Sequence, residues 1–429
     1  MTMVPLNPQL KAAEISYHLA DSGARLLITF ALFIEEASKA AGEVPLVLVP
    51  MPGVEAPEGI GRFADLLGDH PVDPVEGDIA PTGADDTAVL IYTSGTTGKP
   101  KGAELTHFQM YVGCTVAGEV FGMRDDDVVL AVLPFFHVFG LSAVLNLTIR
   151  YGASLSVAAR FETKPVLDAI EADRVTVLPG VPTMLQALMA DGISGRDLSA
   201  LRVAVVGGAS MPGDVMRSFE DMFGITVLEG YGLSETASIC TFNRSAVQRK
   251  TLSIGLPQWG VEMRIVDEDD RPLAPGPDNV GEIVVRGHNV MKGYIGRPEE
   301  TAEALRNGWL HTGDLGYVDE DGYYFVVDRI KDLVIRGGYN VYPREIEEVL
   351  YGHPDVAEVA VIGRPDERLG EEVVAVVSLR PGATVSAEDL IAYCKERLAN
   401  YKYPREVRLM EKLPLGPTGK ILKTELRAP

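Results

Sequence analysis

The densest chemistry in the chain lies in ten residues, Thr93-Ser94-Gly95-Thr96-Thr97-Gly98-Lys99-Pro100-Lys101-Gly102, directly after the apolar run Ala88-Val89-Leu90-Ile91-Tyr92. Four hydroxyls, three glycines and two lysines fall within that stretch. Such a segment can wrap a polyphosphate: glycines let backbone N–H groups approach, hydroxyls donate hydrogen bonds and lysines offset negative charge. It is not a Walker loop, which needs four residues between its first glycine and its Gly-Lys-Ser/Thr. Only Thr96 and Thr97 separate Gly95 from Gly98-Lys99, and Pro100 bars an immediate helix. Alone, the stretch would also pass for a solvated Ser/Gly-rich turn.

Other stretches are ambiguous one at a time. His137, in Pro134-Phe135-Phe136-His137, would ordinarily be a structural histidine, and Gly207-Gly208-Ala209 a tight turn. Asp328-Arg329-Ile330-Lys331-Asp332 reads as a charged linker, and Lys420, in Pro417-Thr418-Gly419-Lys420, as a solvated charge.

The elements that must position these groups follow from periodicity. Helix is expected over Glu14 to Ala20, Lys164 to Ala172, Leu185 to Ala190 and Asp214 to Phe223. Strands are expected at Ala24 to Thr29, Val128 to Leu133, Ser154 to Val157, Val175 to Leu178, Val203 to Val206 and Thr226 to Leu228. This alternation predicts an α/β fold of parallel sheets with crossover helices. From Ile254 to Phe325 the pattern changes. Val261 to Val266 and Gly281 to Arg286 alternate apolar with polar between Asp/Gly/Pro turns, which predicts an antiparallel, barrel-like subdomain. After Asp328 comes a small α+β module, with helices at Pro343 to Leu350 and Ser386 to Leu398 and strands at Val356 to Ile362 and Val373 to Leu379. Ser386 and Asp389 form a capping-box variant.

Composition bounds the function. The 429 residues leave room for two to three domains. A net charge of −22 argues against nucleic acid or an anionic membrane as partner, so a bound nucleotide must be held by local lysines and N–H groups. Cys114, Cys240 and Cys394 are far apart and fit buried thiols in a reduced cytoplasmic compartment. The start shows no export signal, and no apolar run reaches transmembrane length.

Taken in order, these motifs make the chain resemble the adenylate-forming (AMP-binding) superfamily of acyl- and aryl-CoA synthetases over essentially all of its length, most closely the fatty acid–CoA ligases. The resemblance implies ATP, Mg2+ and CoA as cofactors and co-substrates, and a small-molecule carboxylic acid as partner. Thr93, Ser94, Gly95, Thr96, Thr97, Gly98 and Lys99 would then grip the ATP phosphates. Gly208, Ala209, Glu229, Gly230, Tyr231 and Gly232 would surround the adenine, with Tyr231 stacking on it. Ser234, with Thr236 as a second contact, would meet the α-phosphate, and Glu235 would hold Mg2+. Asp314, ending Trp309-Leu310-His311-Thr312-Gly313-Asp314, would accept both ribose hydroxyls, and Arg329 would touch the ribose. His137, Val138, Gly207, Gly208 and Leu233 would shape the acyl pocket. Lys331 would be the hinge, Arg336, Gly337, Gly338 and Tyr339 would line the CoA channel, and Lys420 would bridge carboxylate and α-phosphate.

The implied organisation is a large N-terminal domain, 1–327, with the barrel-like part at about 254–327. A hinge at 328–331 and a mobile lid at 332–429 follow. The implied reaction activates a carboxylic acid as acyl-AMP with release of pyrophosphate and then transfers the acyl group to CoA. Phe136-His137-Val138-Phe139-Gly140-Leu141 lacks the aspartate that amino-acid-activating relatives use, and no arginine occurs in the pocket stretches, which disfavours a dicarboxylate. An apolar pocket for a medium- to long-chain fatty acid is expected, with an aryl acid or delivery to a carrier protein as alternatives. Leu6-Asn7-Pro8 through Leu26-Leu27-Ile28 resembles a stretch well inside the family's large domain. The family's opening elements are therefore expected to be missing, leaving apolar surface that favours a homo-oligomer. A short form that binds nucleotide or acyl-adenylate but turns over poorly is the non-enzyme alternative.

Overall fold

The computed structural model describes residues 1–51, 57–67, 81–93 and 99–427, which form two compact units. The first comprises Met1–Met110 and Met291–Glu303. Its helices Ala12–Ser22 and Ile34–Ala41 accompany a parallel three-stranded sheet of Leu27–Phe30, Leu46–Val49 and Gly61–Arg62. Ile15, Leu19, Leu27, Ala37 and Ala40 form its core. Ile28, Phe30, Leu32 and Phe33 are exposed on it. The expected strand at Ala24 starts only at Leu27, because the Ala24 N–H still caps the preceding helix through the Leu19 carbonyl at 3.1 Å. A separate antiparallel ribbon pairs Thr87–Thr93 with Lys101–Thr106. Pro100 is thus followed by a strand and not by a helix.

The second unit comprises Tyr111–Val290 and Ala304–Pro429. Five parallel strands, in the order Thr226–Tyr231, Val203–Val206, Val177–Gly180, Val128–Ala131, Ser154–Val157, make the body of a seven-stranded sheet. Thr241–Phe242 and Leu256–Pro257 add antiparallel strands at one edge. Val203–Val206 is buried throughout, as a four-residue apolar run inside a parallel sheet should be. Helices Thr163–Ala172, Pro182–Asp191 and Gly213–Phe223 supply the crossovers, and their apolar faces join the strands in one core around Phe219, Leu167, Leu185 and Leu178. The strand expected from Val175 begins at Val177, since the Val175 N–H is held by the Ile170 carbonyl at the helix end.

Val261–Val266, Gly281–Gly287, Leu310–Val318 and Tyr324–Arg329 form a four-stranded antiparallel sheet in chain order. Beyond it, Val334–Arg336, Tyr339–Val341, Val356–Asp366, Gly370–Leu379 and Glu406–Leu409 form a five-stranded sheet packed by helices Pro343–Tyr351 and Ala387–Lys395. Ser386 caps the latter helix, its Oγ accepting from the Asp389 N–H at 3.1 Å. Cys114, Cys240 and Cys394 are all buried free thiols. Among the described residues no helix is long and apolar enough to cross a membrane.

Candidate active site

The carboxyl ends of four neighbouring parallel strands carry the polar groups that the motifs single out. Pro134–His137 follows Val128–Ala131, Val181–Thr183 follows Val177–Gly180, Gly207–Ala209 follows Val203–Val206, and Tyr231 ends Thr226–Tyr231. Parallel α/β sheets place their binding crevices at this end, where loops leave the strands beside helix N-termini.

Lys420 reaches this end from the far C-terminal segment. The Thr183 hydroxyl donates to the Gly419 carbonyl at 2.7 Å, which fixes the turn bearing the lysine. A Cβ placed on Gly208 would lie 3.1 Å from Lys420 Cε and 3.6 Å from Nζ, so the lysine stem runs directly over this glycine. Burial, and then the Arg329 guanidinium, push the Lys420 ammonium down to about 8 against the opposing pull of Asp314. Among the described residues no carboxylate forms an ion pair with this ammonium, and a phosphate oxygen would suit it.

Asp314 is 3% exposed and takes two donors. Tyr231 Oη donates to its Oδ2 at 2.6 Å, and Arg329 Nε pairs with its Oδ1 at 3.1 Å. Burial and then the Asp314 charge hold the Tyr231 phenol well above its ordinary range, so it stays a donor. Asp314 in turn raises Arg329. Lys420 and Arg329 both feel the Asp314 carboxylate, and Asp332 and Glu235 add further negative charge around Arg329.

His137 lies beside Lys420, and burial followed by that charge push its ring down to about 4. It is neutral at pH 7. Its Nδ1 accepts from the Phe139 N–H at 3.3 Å, which leaves the proton on Nε2. The next turns, Phe139–Asn146, form a π-helix, a local irregularity common at functional sites. Phe139 lies close to Gly207: a Cβ there would be 3.4 Å from the ring and 3.3 Å from the Gly230 carbonyl. Val138 is buried, whereas Leu233 is half-buried.

Other predicted residues take different positions. Glu229 is 1% exposed, with Oε1 accepting from the Met211 N–H at 3.1 Å and Oε2 buried without a partner among the described residues. Its carboxylate therefore holds the loop after Ala209 through the Met211 N–H. Thr236 is fully buried, and its hydroxyl accepts from the Leu233 N–H at 2.9 Å and donates to the Leu233 carbonyl at 3.1 Å. Gly230 and Gly232 flank Tyr231, and Ser234 and Glu235 are half-buried in a short turn beside it. No cluster of three His, Cys, Asp or Glu side chains exists among the described residues. Glu235 would therefore hold Mg2+ only together with substrate phosphate oxygens, the usual way magnesium is bound at nucleotides.

Lys331 is exposed in the turn Ile330–Asp332. Gly337-Gly338 is the two-residue turn of a hairpin, with Arg336 paired to Glu372 at 2.5 Å and Tyr339 stacked on Tyr401 at 4.7 Å. Thr93 and Lys99 belong to the first unit, at the two ends of the ribbon's connection. Ser94, Gly95, Thr96, Thr97 and Gly98 lie outside the described residues.

Thr183 fell within a stretch expected to line the pocket (Val181–Thr183), but its bond to the Gly419 carbonyl was not legible in the sequence. Sequence reasoning missed Glu282 and His311, which meet only across paired strands. The burial of Glu229 did carry a signal: an acid directly after the apolar pair Val227-Leu228 within one strand.

The chain is similar to known proteins along its length. The AMP-binding enzyme family matches residues 1–295, and the AMP-binding enzyme C-terminal domain matches residues 345–420. A feruloyl-CoA synthase from Amycolatopsis sp is 42% identical over 427 residues, 99% of this chain and 83% of its own length. A long-chain-fatty-acid–CoA ligase from Bacillus subtilis (strain 168) is 42% identical over 344 residues, 80% of this chain and 61% of its own. The crystal structure of an anthranilate CoA ligase in complex with anthranoyl-AMP superposes with a TM-score of 0.91 at 30% identity, covering 99% of this chain and 82% of that one.

Proposed function

The chain belongs to the AMP-binding enzyme family and is an AMP-forming acid–CoA ligase that uses ATP, Mg2+ and CoA; from this premise we propose the roles of its residues and the class of acid it activates. The seating of Lys420 against Gly208, beside Arg329 and Asp314, carries the reading.

A carboxylate is a poor electrophile, and a thiol attacking it directly would have to expel oxide. In the first half-reaction a carboxylate oxygen attacks the α-phosphate and pyrophosphate leaves with the broken bond's electrons. In the second, the CoA thiol adds to the activated carbonyl, loses its proton and expels AMP. Splitting the transfer replaces one hard step with two easier ones. Lys420 neutralises charge that builds between carboxylate and phosphate, and its desolvation makes that interaction stronger than it would be in water. Asp314 accepts the ribose hydroxyls while Tyr231 and Arg329 hold it in place. Neutral His137 closes the acyl side without adding charge. When bound, Mg2+ supplies charge neutralisation at the phosphates.

With Lys420 seated, the arrangement corresponds to the first half-reaction. Rotation of the C-terminal segment about Lys331 would withdraw Lys420 and bring the Gly337-Gly338 hairpin to the site for the thiol, a gating motion. The roles of the 93–99 stretch remain those given by its hydroxyls, glycines and lysine.

The acid is a hydrophobic monocarboxylate, and its first reading is a medium- to long-chain fatty acid. Support comes from apolar Val138, Phe139 and Leu141 beside His137, and from the likeness to the long-chain-fatty-acid–CoA ligase. An arylpropenoic acid such as ferulate is the second reading. It is favoured by the feruloyl-CoA synthase likeness along 99% of the chain and by the aromatic ring of Phe139 beside Gly207. Pyrophosphate release with octanoate, palmitate, ferulate and coumarate tests both. A kcat/KM for the fatty acids at least tenfold above the aryl acids upholds the first reading, the reverse order replaces it with the second, and release with neither class removes both.

A further inference from the structure

The strand that carries Asp314 is broken just where that residue sits. Along the pairing of Gly281–Gly287 with Leu310–Val318, Glu282 faces Leu315 and Val284 faces His311. Ile283 alone therefore lies opposite Thr312, Gly313 and Asp314. Such a bulge re-aims a side chain out of the sheet's alternation. It also leaves backbone groups without ladder partners, and these must be bonded elsewhere.

Glu282 provides much of that bonding. Its Oε1 accepts from the Gly313 N–H at 3.0 Å, and its Oε2 accepts from His311 Nδ1 at 2.8 Å. Arg306 reaches Oε2 at 3.2 Å and ties it to Asp270. The Thr312 hydroxyl completes the bulge by donating to the Ile283 carbonyl at 2.7 Å and accepting from the Asp314 N–H at 3.1 Å. Gly313 sits at a φ of +71°, a conformation that glycine adopts freely and other residues rarely do. The His311 side chain is 4% exposed and that of Glu282 14% exposed, so both are largely buried, while Arg306, at 41%, closes the cluster towards solvent.

We propose that Glu282 is a positioning residue for the ligase reaction, holding the Thr312-Gly313-Asp314 bulge so that Asp314 meets the ribose hydroxyls of ATP. The inference rests on the ribose-binding reading of Asp314. It assigns the specificity for a ribonucleotide to a carboxylate that touches no substrate.

Steady-state kinetics with ATP, 2′-deoxy-ATP and 3′-deoxy-ATP tests this. Glu282→Ala should raise the KM for ATP about tenfold, the effect of removing a charged acceptor, with a smaller change in kcat. It should also erase most of the preference for ATP over the two deoxy analogues. Glu282→Gln, whose amide oxygen still accepts from Gly313, should recover most of that preference. Thr312→Val, of similar volume, should weaken it independently, and it serves if Glu282→Ala does not fold. Variants that fold, keep the wild-type preference and keep the KM for ATP would overturn the inference. A wild-type enzyme indifferent to the ribose hydroxyls would instead remove the reading of Asp314 itself, and the inference with it.

Discussion

Lys420 lies across Gly208 so closely that a Cβ on the glycine would stand 3.1 Å from the lysine Cε. Gly208 also has a φ of +80°, which side chains rarely adopt. The loop after Val203–Val206 is therefore shaped twice over for a residue without a side chain, once by its backbone and once by the lysine above it. Thr183 secures the same lysine from the neighbouring strand's loop through the Gly419 carbonyl. A cation from the last few residues of the chain is thus seated between two loops of the parallel sheet.

That seating predicts an asymmetric loss. Lys420→Ala should slow acyl-adenylate formation by about 100-fold or more, the scale of removing a preorganised charge stabiliser. Thioester formation from supplied acyl-adenylate should be nearly unchanged. Gly208→Ala should slow the first half-reaction about tenfold, through backbone strain and displacement of the lysine. The two half-reactions are measured by pyrophosphate release and by CoA consumption from synthetic adenylate, and equal losses in both would count against the assignment.

Glu229 predicts a pH-dependent stability. Burial pushes its carboxyl from its ordinary 4.5 up to about 7, with Arg344 opposing and Glu348 adding to the rise. The folded protein then holds a proton that the unfolded chain releases between pH 4.5 and 7. Stability from this group is present below 4.5 and is lost as pH rises through 7. Glu229→Gln, which cannot ionise, should be more stable than wild type at pH 8, by on the order of 3 kcal/mol, and the gap should close towards pH 5. Denaturant melts of both proteins at pH 5 and 8 decide it. Parallel behaviour across that range would show that the carboxylate is not titrating in its buried site.

The parallel sheet was legible because a run such as Val203–Val206, bounded by polar turns, can be little other than a buried strand. Its boundaries were less so: Ala24 and Val175 look like strand starts by composition but are spent on capping the helices before them. Tyr231, Asp314, Arg329 and Lys420 could be grouped from the sequence only by the order of their motifs taken together, and the structure brings the first three together through a hydrogen bond and an ion pair. Relations that need strand register were invisible. Glu282 and Gly313 are 31 residues apart, and only the bulge brings the carboxylate to that N–H. The hydrogen bonds of Thr236 to Leu233 and of Glu229 to the Met211 N–H were invisible for a related reason, since residue type alone does not name a group's partners in its own loop.

Lys331 should behave as a pivot. It is the second residue of the turn Ile330–Asp332, which joins Tyr324–Arg329 to Val334–Arg336 and is anchored by the ion pair of Asp332 with Arg427 at 2.7 Å. A proline there suits a helical turn but fixes φ against further change. Lys331→Pro should therefore leave pyrophosphate release within about twofold of wild type and slow CoA thioester formation at least tenfold, the scale of a blocked conformational step. Stopped-flow measurement of the two steps on one preparation would show it, and a variant dead in both, or normal in both, would rule out a pivot at this residue.

Tyr231 offers a way to separate its ring from its hydroxyl. Oη donates to Asp314 Oδ2 at 2.6 Å, and Asp314 is almost wholly buried. Removing that donor leaves a carboxylate oxygen short of a partner, at a cost of about 1–3 kcal/mol. Asp314 would then turn from the ribose or draw Arg329 closer. Tyr231→Phe should therefore raise the KM for ATP about tenfold while the ring still stacks on adenine, whereas Tyr231→Ala should lose both contributions and raise it further. Binding of AMP by calorimetry reads the same order without chemistry. If Phe bound AMP as tightly as Tyr while Ala did not, the hydroxyl would have no part in holding Asp314 for the ribose, and the ring alone would account for this residue.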